Sequence, residues 1–158
     1  MLQRATIVAV GRLKGWADEG CQDYLGRLRR YFPVEVIEVA EEDMNRRSRQ
    51  EVLSAEAGRL LKRIPSGAYV VGLDRERGRL FASEELSRKR LEPLAVSGQG
   101  NTAFILGGAL GLGPEALERA DELWSFGGIT LPHALARVVL LEQLYRAVKI
   151  SRGEKYHW

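Results

Sequence analysis

Four short apolar runs recur about every 30 residues, and this rhythm constrains the fold more than any other feature of the sequence. The runs are rich in β-branched side chains and occupy residues 6–10, 34–39, 69–73 and 103–106. Apolar runs of this length are typical of buried β-strands. Segments with the length and charged faces of amphipathic helices lie between them, at 16–30 and 49–63. Strands that alternate with helices predict a parallel sheet covered by helices, which is an α/β fold.

Two further helix starts can be predicted from single residues. Ser83 stands before two glutamates and a leucine, so we expect a third helix with Ser83 as its cap. Pro132 is a favoured first residue of a helix and precedes a long run, 133–150, whose apolar residues point in nearly every direction around the helix axis. Such a helix must be covered on more than one side, either by a second subunit or by the rest of a monomer.

Length and residue usage limit the class of protein. The 158 residues suit one domain, residues 1–158, and no apolar run approaches the roughly 18 residues of a membrane-spanning helix. We therefore expect a cytoplasmic protein without a membrane partner. The single cysteine, Cys21, and the two histidines, His133 and His157, have no metal-ligand spacing, so we expect no metal site and a core position for Cys21.

The basic residues are more informative than the net charge of +3, because they are grouped. They occur at 27–30, 46–49, 88–90 and in the tail at Lys149, Arg152 and Lys155. Such groups fit a polyanionic partner, although each one could also be an ordinary solvated face.

The glycine-rich stretch FILGGALGLGPE, residues 104–115, matches neither of the common phosphate-binding motifs. It follows the fourth run rather than the first and lacks the order G-x-G-x-x-G of a dinucleotide site. Pro114 and Glu115 stand where a P-loop needs Lys and Ser or Thr. A second glycine pair lies in SFGGITL, residues 125–131. Either loop could be only a tight turn. Two glycine-rich loops at one sheet edge nevertheless predict a binding site in which backbone amides contact a small flat ligand from both sides.

Four stretches, IVAVGRLK, ILGGALGL, TLPHALARVVLLEQLYRA and ISRGEKYH, resemble in order and spacing the pseudouridine N3-methyltransferases of the large ribosomal subunit. That family is part of the SPOUT class of RNA methyltransferases. The resemblance runs from residue 6 to residue 157 and is strongest after residue 104. It implies a parallel-sheet SPOUT methyltransferase fold with a C-terminal trefoil knot, active as a homodimer.

The same resemblance implies S-adenosyl-L-methionine as the cofactor. The positions that match the family's cofactor residues are Leu73, Gly107, Phe126, Gly127, Gly128, Ile129, Thr130 and Leu131. Gly127 and Gly128 stand where the family more often has a serine and a larger residue, so we expect only backbone contacts from these two positions.

The implied substrate is a pseudouridine of 23S ribosomal RNA, in the large subunit or the assembled 70S ribosome. N3 of such a base carries a proton at neutral pH, so methylation needs a general base or an environment that stabilises the anion. The residues considered for this are His133, His157, Tyr156, Arg152 and Arg137. We expect His157, Tyr156 and Arg152 to form the acceptor side, with His157 or a bound water taking the proton. The alternative for the end of the chain, residues 156–158, is a frayed terminus without a role in the reaction. The alternative for the function is a non-catalytic RNA-binding dimer of the same fold.

Overall fold

The computed structural model describes residues 2–96 and 100–156. The strands in this part of the chain are β1 Arg4–Val10, β2 Val34–Val39, β3 Tyr69–Leu73, β4 Arg79–Leu80, β5 Asn101–Leu106 and β6 Glu122–Ser125. The α-helices are α1 Gly15–Leu28, α2 Arg49–Leu61, α3 Ser83–Glu85, α4 Glu92–Val96, α5 Pro114–Arg119 and α6 His133–Ser151. A π-helical segment, Leu86–Leu91, joins α3 to α4.

The strands form one parallel sheet in the order β2-β1-β5-β3-β6-β4. The predicted α/β fold is therefore confirmed, and each of the four predicted runs lies within a strand. β4 and β6 were not predicted from the sequence. They have two and four residues, which is too short for an apolar period to show.

Alternate side chains of the central strands face two separate cores. Ile7, Val71 and Phe104 point to the side covered by α1 and α6. Val8 and Ile105 point to the side covered by α2 and α5. These side chains are fully buried, and each contributes roughly 1.5–3 kcal/mol to folding. The period of two along each strand thus produces a sheet with a helical layer on both faces.

The helix starts differ in how they are capped. α2 begins with a capping box, in which Ser48 Oγ accepts from Glu51 N at 3.2 Å and the Glu51 carboxylate accepts from Ser48 N at 2.8 Å. The prediction that Ser83 caps α3 is wrong, because Ala82 occupies the N-cap position. The Ser83 hydroxyl instead donates to Gln143 Oε1 at 2.7 Å, so this serine connects α3 to α6.

β6 lies between β3 and β4, although β3 and β4 are consecutive in the sequence. The connection 74–78 therefore crosses β6 at close range. Asp74 N donates to Trp124 O at 2.9 Å, and Gly78 N donates to Asp74 O at 2.9 Å. A Cβ atom at Gly78 would lie 2.2 Å from the carbonyl carbon of Trp124, so only glycine fits at this crossing.

α6 is covered on one side and partly open on the other. Leu140, Leu141 and Leu144 are completely buried, whereas Val138 and Val139 remain half-exposed. The helix begins after Pro132, which occupies its N-cap position. A single chain therefore covers only part of the apolar surface that the sequence predicts for this helix.

Two other expectations can be compared with the fold. Cys21 is 3% exposed in the core beneath α6, and burial raises the pKa of its thiol to about 11. The predicted core position of Cys21 is confirmed. No helix in the described ranges is long and apolar enough to span a bilayer.

Candidate functional site

The loops that follow β5, β3 and β6 lie side by side at the carboxyl edge of the sheet, because these strands are neighbours in that order. They carry the cofactor positions predicted from the sequence, namely Leu73, Gly107, Phe126, Gly127, Gly128, Ile129, Thr130 and Leu131. In α/β folds this edge is where ligands bind. The structure thus brings together three segments of which the first and last are more than 50 residues apart in the chain.

The loops after β3 and β6 are tied to each other by hydrogen bonds. Ser125 Oγ donates to Arg75 O at 2.9 Å and accepts from Gly127 N at 3.1 Å. Arg75 Nη1 donates to Gly128 O at 3.0 Å. Gly127 has a φ of +113°, which an L-residue rarely adopts. These contacts, which include the Gly127 amide, hold the β6 loop in one conformation.

The tip of the β6 loop presents backbone and an apolar side chain to solvent. A Cβ atom added at Gly127 or Gly128 would have no atom within 4 Å, so the space beside both residues is open. Ile129 is 78% exposed. An open backbone beside an exposed apolar side chain fits a flat ligand that is partly apolar and partly hydrogen-bonding.

The β5 loop needs glycine for a different reason, which is the close approach of its own backbone. A Cβ atom at Gly107 would lie 2.2 Å from the carbonyl carbon and oxygen of Gly111. The loop folds back on itself there, with Gly111 N donating to Gly108 O at 3.1 Å and Gly111 at a φ of +80°. Gly107 is therefore required by the turn itself, a role that the sequence analysis did not assign to it.

Arg137 is buried at the same edge and binds two other segments through its two terminal nitrogens, while its buried Nε has no hydrogen-bond partner among the described residues. Its Nη1 lies 2.5 Å from Glu38 Oε2, and its Nη2 donates to Gly11 O at 2.8 Å. Burial alone would raise the pKa of Glu38, but the hydrogen bond from Leu13 N and the Arg137 guanidinium outweigh it and lower that pKa. Arg137 therefore anchors the first turns of α6.

Tyr156 is held on the surface of α6. Its hydroxyl donates to Glu142 Oε1 at 2.9 Å, and its ring meets Tyr145 edge-on at 5.2 Å. The guanidinium of Arg146 lies 4.3 Å from the centre of the same ring. Burial and the bond to the Glu142 carboxylate raise the pKa of Tyr156 above its ordinary value of 10. The phenol thus stays protonated near neutral pH, where it is a hydrogen-bond donor.

Arg152 and the residues after it are fixed to Tyr31, which lies three residues beyond the end of α1. Arg152 Nε lies 3.1 Å from Glu154 Oε1, and its guanidinium lies 5.2 Å from the centre of the Tyr31 ring. Glu154 Oε2 accepts from Tyr31 OH at 2.7 Å and from Lys149 Nζ at 2.6 Å. The third catalytic candidate, His157, lies outside the described residues.

Arg152 and the predicted cofactor residues lie at opposite ends of the sheet within one chain. α6 starts at the carboxyl edge, where Arg137 contacts Gly11, and its 19 residues span about 28 Å. At its far end Arg152 shares a small cavity with Leu2 and Phe32, which precede β1 and β2. One chain therefore does not bring Arg152 to the cofactor loops, whereas Tyr156 lies beside Glu142, near the middle of α6.

Two positioning residues were missed by sequence reasoning. Glu142 holds the Tyr156 hydroxyl, and Arg75 holds the β6 loop. A carboxylate inside the apolar run 138–148 was the available signal for Glu142. Arg75 carried no comparable signal, because it lies in an ordinary polar connection.

A family model described as "Predicted SPOUT methyltransferase" matches residues 3–157. The chain belongs to the SPOUT methyltransferase family. A curated relative from Rubrobacter xylanophilus, named ribosomal RNA large subunit methyltransferase H, is 76% identical over all of both chains. A relative of the same name from Acetivibrio thermocellus is 44% identical over 98% of this chain and 99% of its own.

Solved structures show the same SPOUT methyltransferase fold at low sequence identity. A probable methylase family protein from Haemophilus influenzae gives a TM-score of 0.51 at 14% identity, covering 94% of this chain and 66% of that one. The TrmH/SpoU tRNA modifying enzyme from A. aeolicus gives 0.50 at 13% identity, covering 96% and 80%. The predicted SPOUT fold class and methyltransferase function are thus confirmed by the family and the fold together.

Proposed function

We propose that the whole chain, residues 1–158, is one SPOUT methyltransferase domain that acts on ribosomal RNA in the cytoplasm. Its reaction is transfer of the methyl group of S-adenosyl-L-methionine to N3 of a pseudouridine in 23S ribosomal RNA, within the large subunit or the 70S ribosome. The observation that carries this proposal is the 76% identity over the full length of a relative named as a large-subunit ribosomal RNA methyltransferase.

The cofactor would lie across the carboxyl edge of the sheet, against Leu73, Gly107 and residues 126–131. The residues present fit this group. The tip of the β6 loop is open at Gly127 and Gly128, where a side chain would meet no other atom, and Ile129 offers exposed apolar surface to an adenine ring. S-adenosyl-L-methionine supplies a methyl group already activated on a positively charged sulfur.

The residues of the tail would then manage the proton of the acceptor. Methylation at N3 would form an N–C bond as the methyl–sulfur bond of the donor breaks, leaving the neutral thioether S-adenosyl-L-homocysteine, and the N3 proton would pass to His157 or to a bound water. Arg152 would place a positive charge beside the base as negative charge develops on it. Tyr156 stays a neutral donor, since the bond to Glu142 raises its pKa, so its role is to orient the tail.

A homodimer would bring Arg152 to the cofactor, because one chain places the two about one α6 length apart. In a two-fold dimer the tail of each protomer would meet the carboxyl edge of its partner. The half-exposed apolar side of α6, which includes Val138 and Val139, supports burial against a second copy. The insertion of β6 between β3 and β4 supports the C-terminal trefoil knot.

The deciding experiment incubates the protein with labelled S-adenosyl-L-methionine and large ribosomal subunits that lack the modification, followed by RNA mass spectrometry. The expected result is one label, on N3 of a pseudouridine in 23S ribosomal RNA. Cofactor and ribosome binding without any transfer would support the non-catalytic RNA-binding dimer instead. Label on another base or on another RNA would contradict the substrate assignment.

A further inference from the structure

The end of α1 and the tail after α6 form one basic surface. It consists of Arg27, Arg29, Arg30, Tyr31, Arg152 and Lys155, and we call it the α1–tail surface. Tyr31 joins its two parts, since its ring lies 5.2 Å from the Arg152 guanidinium and its hydroxyl donates to Glu154. Arg27 lies 5.6 Å from the centre of the Tyr145 ring, which is 6.3 Å from the Tyr31 ring, so Arg27 and Arg152 stand on one aromatic cluster.

The acidic groups at this surface are already engaged. Glu154 lies within ion-pair distance of Lys149 at 2.6 Å and of Arg152 at 3.1 Å. Asp23 binds Arg27 at 2.9 Å. Arg30 and Lys155 are exposed and have no acidic partner among residues 2–96 and 100–156. This leaves two cations available for an anion from outside the chain.

The surface is held in place without any ligand. Arg29 Nε donates to Val34 O at 3.2 Å, and Arg30 N donates to Arg27 O at 3.3 Å. The tail is tied to Tyr31 through Glu154 and to α6 through Tyr156. An ordered backbone fixes the spacing of the cations that it carries, so less backbone entropy is lost on binding than with a flexible arm.

We propose that the α1–tail surface binds the phosphate backbone of ribosomal RNA beside the target nucleotide. The inference rests on the proposed function, since the tail is the acceptor side there. A folded RNA segment offers regularly spaced phosphates to such a row of arginines, and these contacts set position rather than sequence. The basic end of α1 would thus set the orientation at which the RNA reaches the tail, although no residue of α1 takes part in the proposed reaction.

The test compares Arg30→Gln with a matched control, Arg63→Gln. Both arginines lie two residues beyond the end of a helix, both are exposed, and both donate a backbone N–H to the residue three positions earlier. They lie on opposite faces of the sheet, since α1 and α2 cover different cores. A general effect of lost positive charge would therefore appear in both variants.

The measured quantity is the dissociation constant for undermethylated 50S subunits and for deproteinised 23S ribosomal RNA across a series of salt concentrations. Losing one phosphate contact lowers the slope of log affinity against log salt by about 0.7 to 0.9. For Arg30→Gln this predicts an affinity about five- to eightfold weaker at 0.1 M salt, and a larger loss for Arg30→Glu. Arg63→Gln should bind as the unmodified protein does.

Equal slopes for Arg30→Gln and Arg63→Gln would overturn the proposal. A loss seen with 50S subunits but not with deproteinised RNA would overturn it too, because the surface would then contact a ribosomal protein. Methyl transfer is measured separately. Salt-dependent binding that Arg30→Gln weakens, without methyl transfer by the unmodified protein, would retain this surface and contradict the proposed function.

Discussion

Arg137 Nη1 lies 2.5 Å from Glu38 Oε2, which joins the first turns of α6 to β2 across 99 residues of sequence. The arginine is 2% exposed and also donates to Gly11 O, so three segments meet at one guanidinium. The Glu38 side chain is 34% exposed, so its removal leaves the buried Arg137 guanidinium without a counter-charge, which costs more than the pair itself contributes. This pair therefore fixes where α6 leaves the carboxyl edge.

Glu38→Gln should lower the free energy of unfolding at pH 7 by about 2 kcal/mol, because Arg137 then faces a neutral amide. The pKa of Glu38 is lowered in the folded state, so its contribution is present above the ordinary carboxyl pKa and is lost as pH falls through the folded value. Urea unfolding from pH 7 down to pH 3 measures both effects. Glu35→Gln, at an exposed position of the same strand, should change stability by less than about 0.5 kcal/mol.

Gly128→Trp should prevent cofactor binding without unfolding the chain. Position 128 is exposed and has open space beside it, so the fold tolerates the ring, but the ring fills the proposed cofactor space. We expect the dissociation constant for S-adenosyl-L-methionine to rise at least about tenfold in calorimetry, at an unchanged melting temperature. Gly128→Ala should bind nearly normally, and normal binding by Gly128→Trp would remove this loop from the site.

Gly107→Ala should lower the stability of the fold, which Gly128→Trp leaves unchanged in the same assays. Its Cβ atom would meet the backbone of Gly111 at 2.2 Å, so the β5 loop must move. We expect a loss of about 1–3 kcal/mol in stability, with weaker cofactor binding as a consequence. Unchanged stability would show that the loop is looser than its hydrogen bond from Gly111 N to Gly108 O indicates.

Glu142→Gln should lower the pKa of Tyr156, because the neutral amide stabilises the protonated phenol less than a carboxylate does. Spectrophotometric titration of the five tyrosines detects this as one group ionising at lower pH. Tyr156→Phe identifies the group, since it removes that step from the curve. Methyl transfer should fall while cofactor affinity is retained, and identical titration curves would exclude Glu142 as the residue that positions the tail.

His157→Ala should leave cofactor binding nearly intact while methyl transfer falls by about 10²- to 10⁴-fold, the usual contribution of a general base. Single-turnover rates with undermethylated ribosomes measure the chemical step. A rate equal to that of the unmodified protein would assign the proton to water or to another residue.

Mixing His157→Ala chains with Gly128→Trp chains tests the dimer. If each site combines the tail of one protomer with the cofactor loops of its partner, a mixed dimer has one intact site and one doubly defective site. Random exchange of subunits should then restore about a quarter of the normal number of sites. No restored activity, with exchange verified by mass spectrometry, would place both parts of the site in one chain.

The sequence predicted those parts of the fold that depend on local patterns. The runs at 34–39 and 69–73 coincide with strands, because β-branched residues recur where a buried strand needs them. The sheet order could not be predicted, since the pairing of β6 with β3 and β4 joins short segments through contacts remote in sequence. The bond between Arg137 and Glu38 is equally non-local.

The candidate site was predicted unevenly for similar reasons. The glycine-rich loops at the carboxyl edge were predictable because glycine pairs after strands are visible in a sequence, whereas their cofactor positions came from the resemblance and stay a prediction. The separation of Arg152 from Gly107 follows from the direction of α6 relative to the sheet, which was predictable only after the strand that precedes it was known. The bond from Tyr156 to Glu142 depends on how the tail turns back after Gly153, which has a φ of +66°.

The insertion of β6 between β3 and β4 has a consequence for how the chain matures on the ribosome that synthesises it. β3 and β4 emerge first and must leave a gap between them until residues 122–125 arrive. Non-local pairing of this kind is slow, and the open gap exposes unpaired strand edges meanwhile. The β6 loop takes its place in the same step that fills the gap. A newly made chain would thus complete the proposed binding site for the methyl donor only after β6 has paired with β3 and β4, late in folding. The chain would become able to catalyse the reaction at that step.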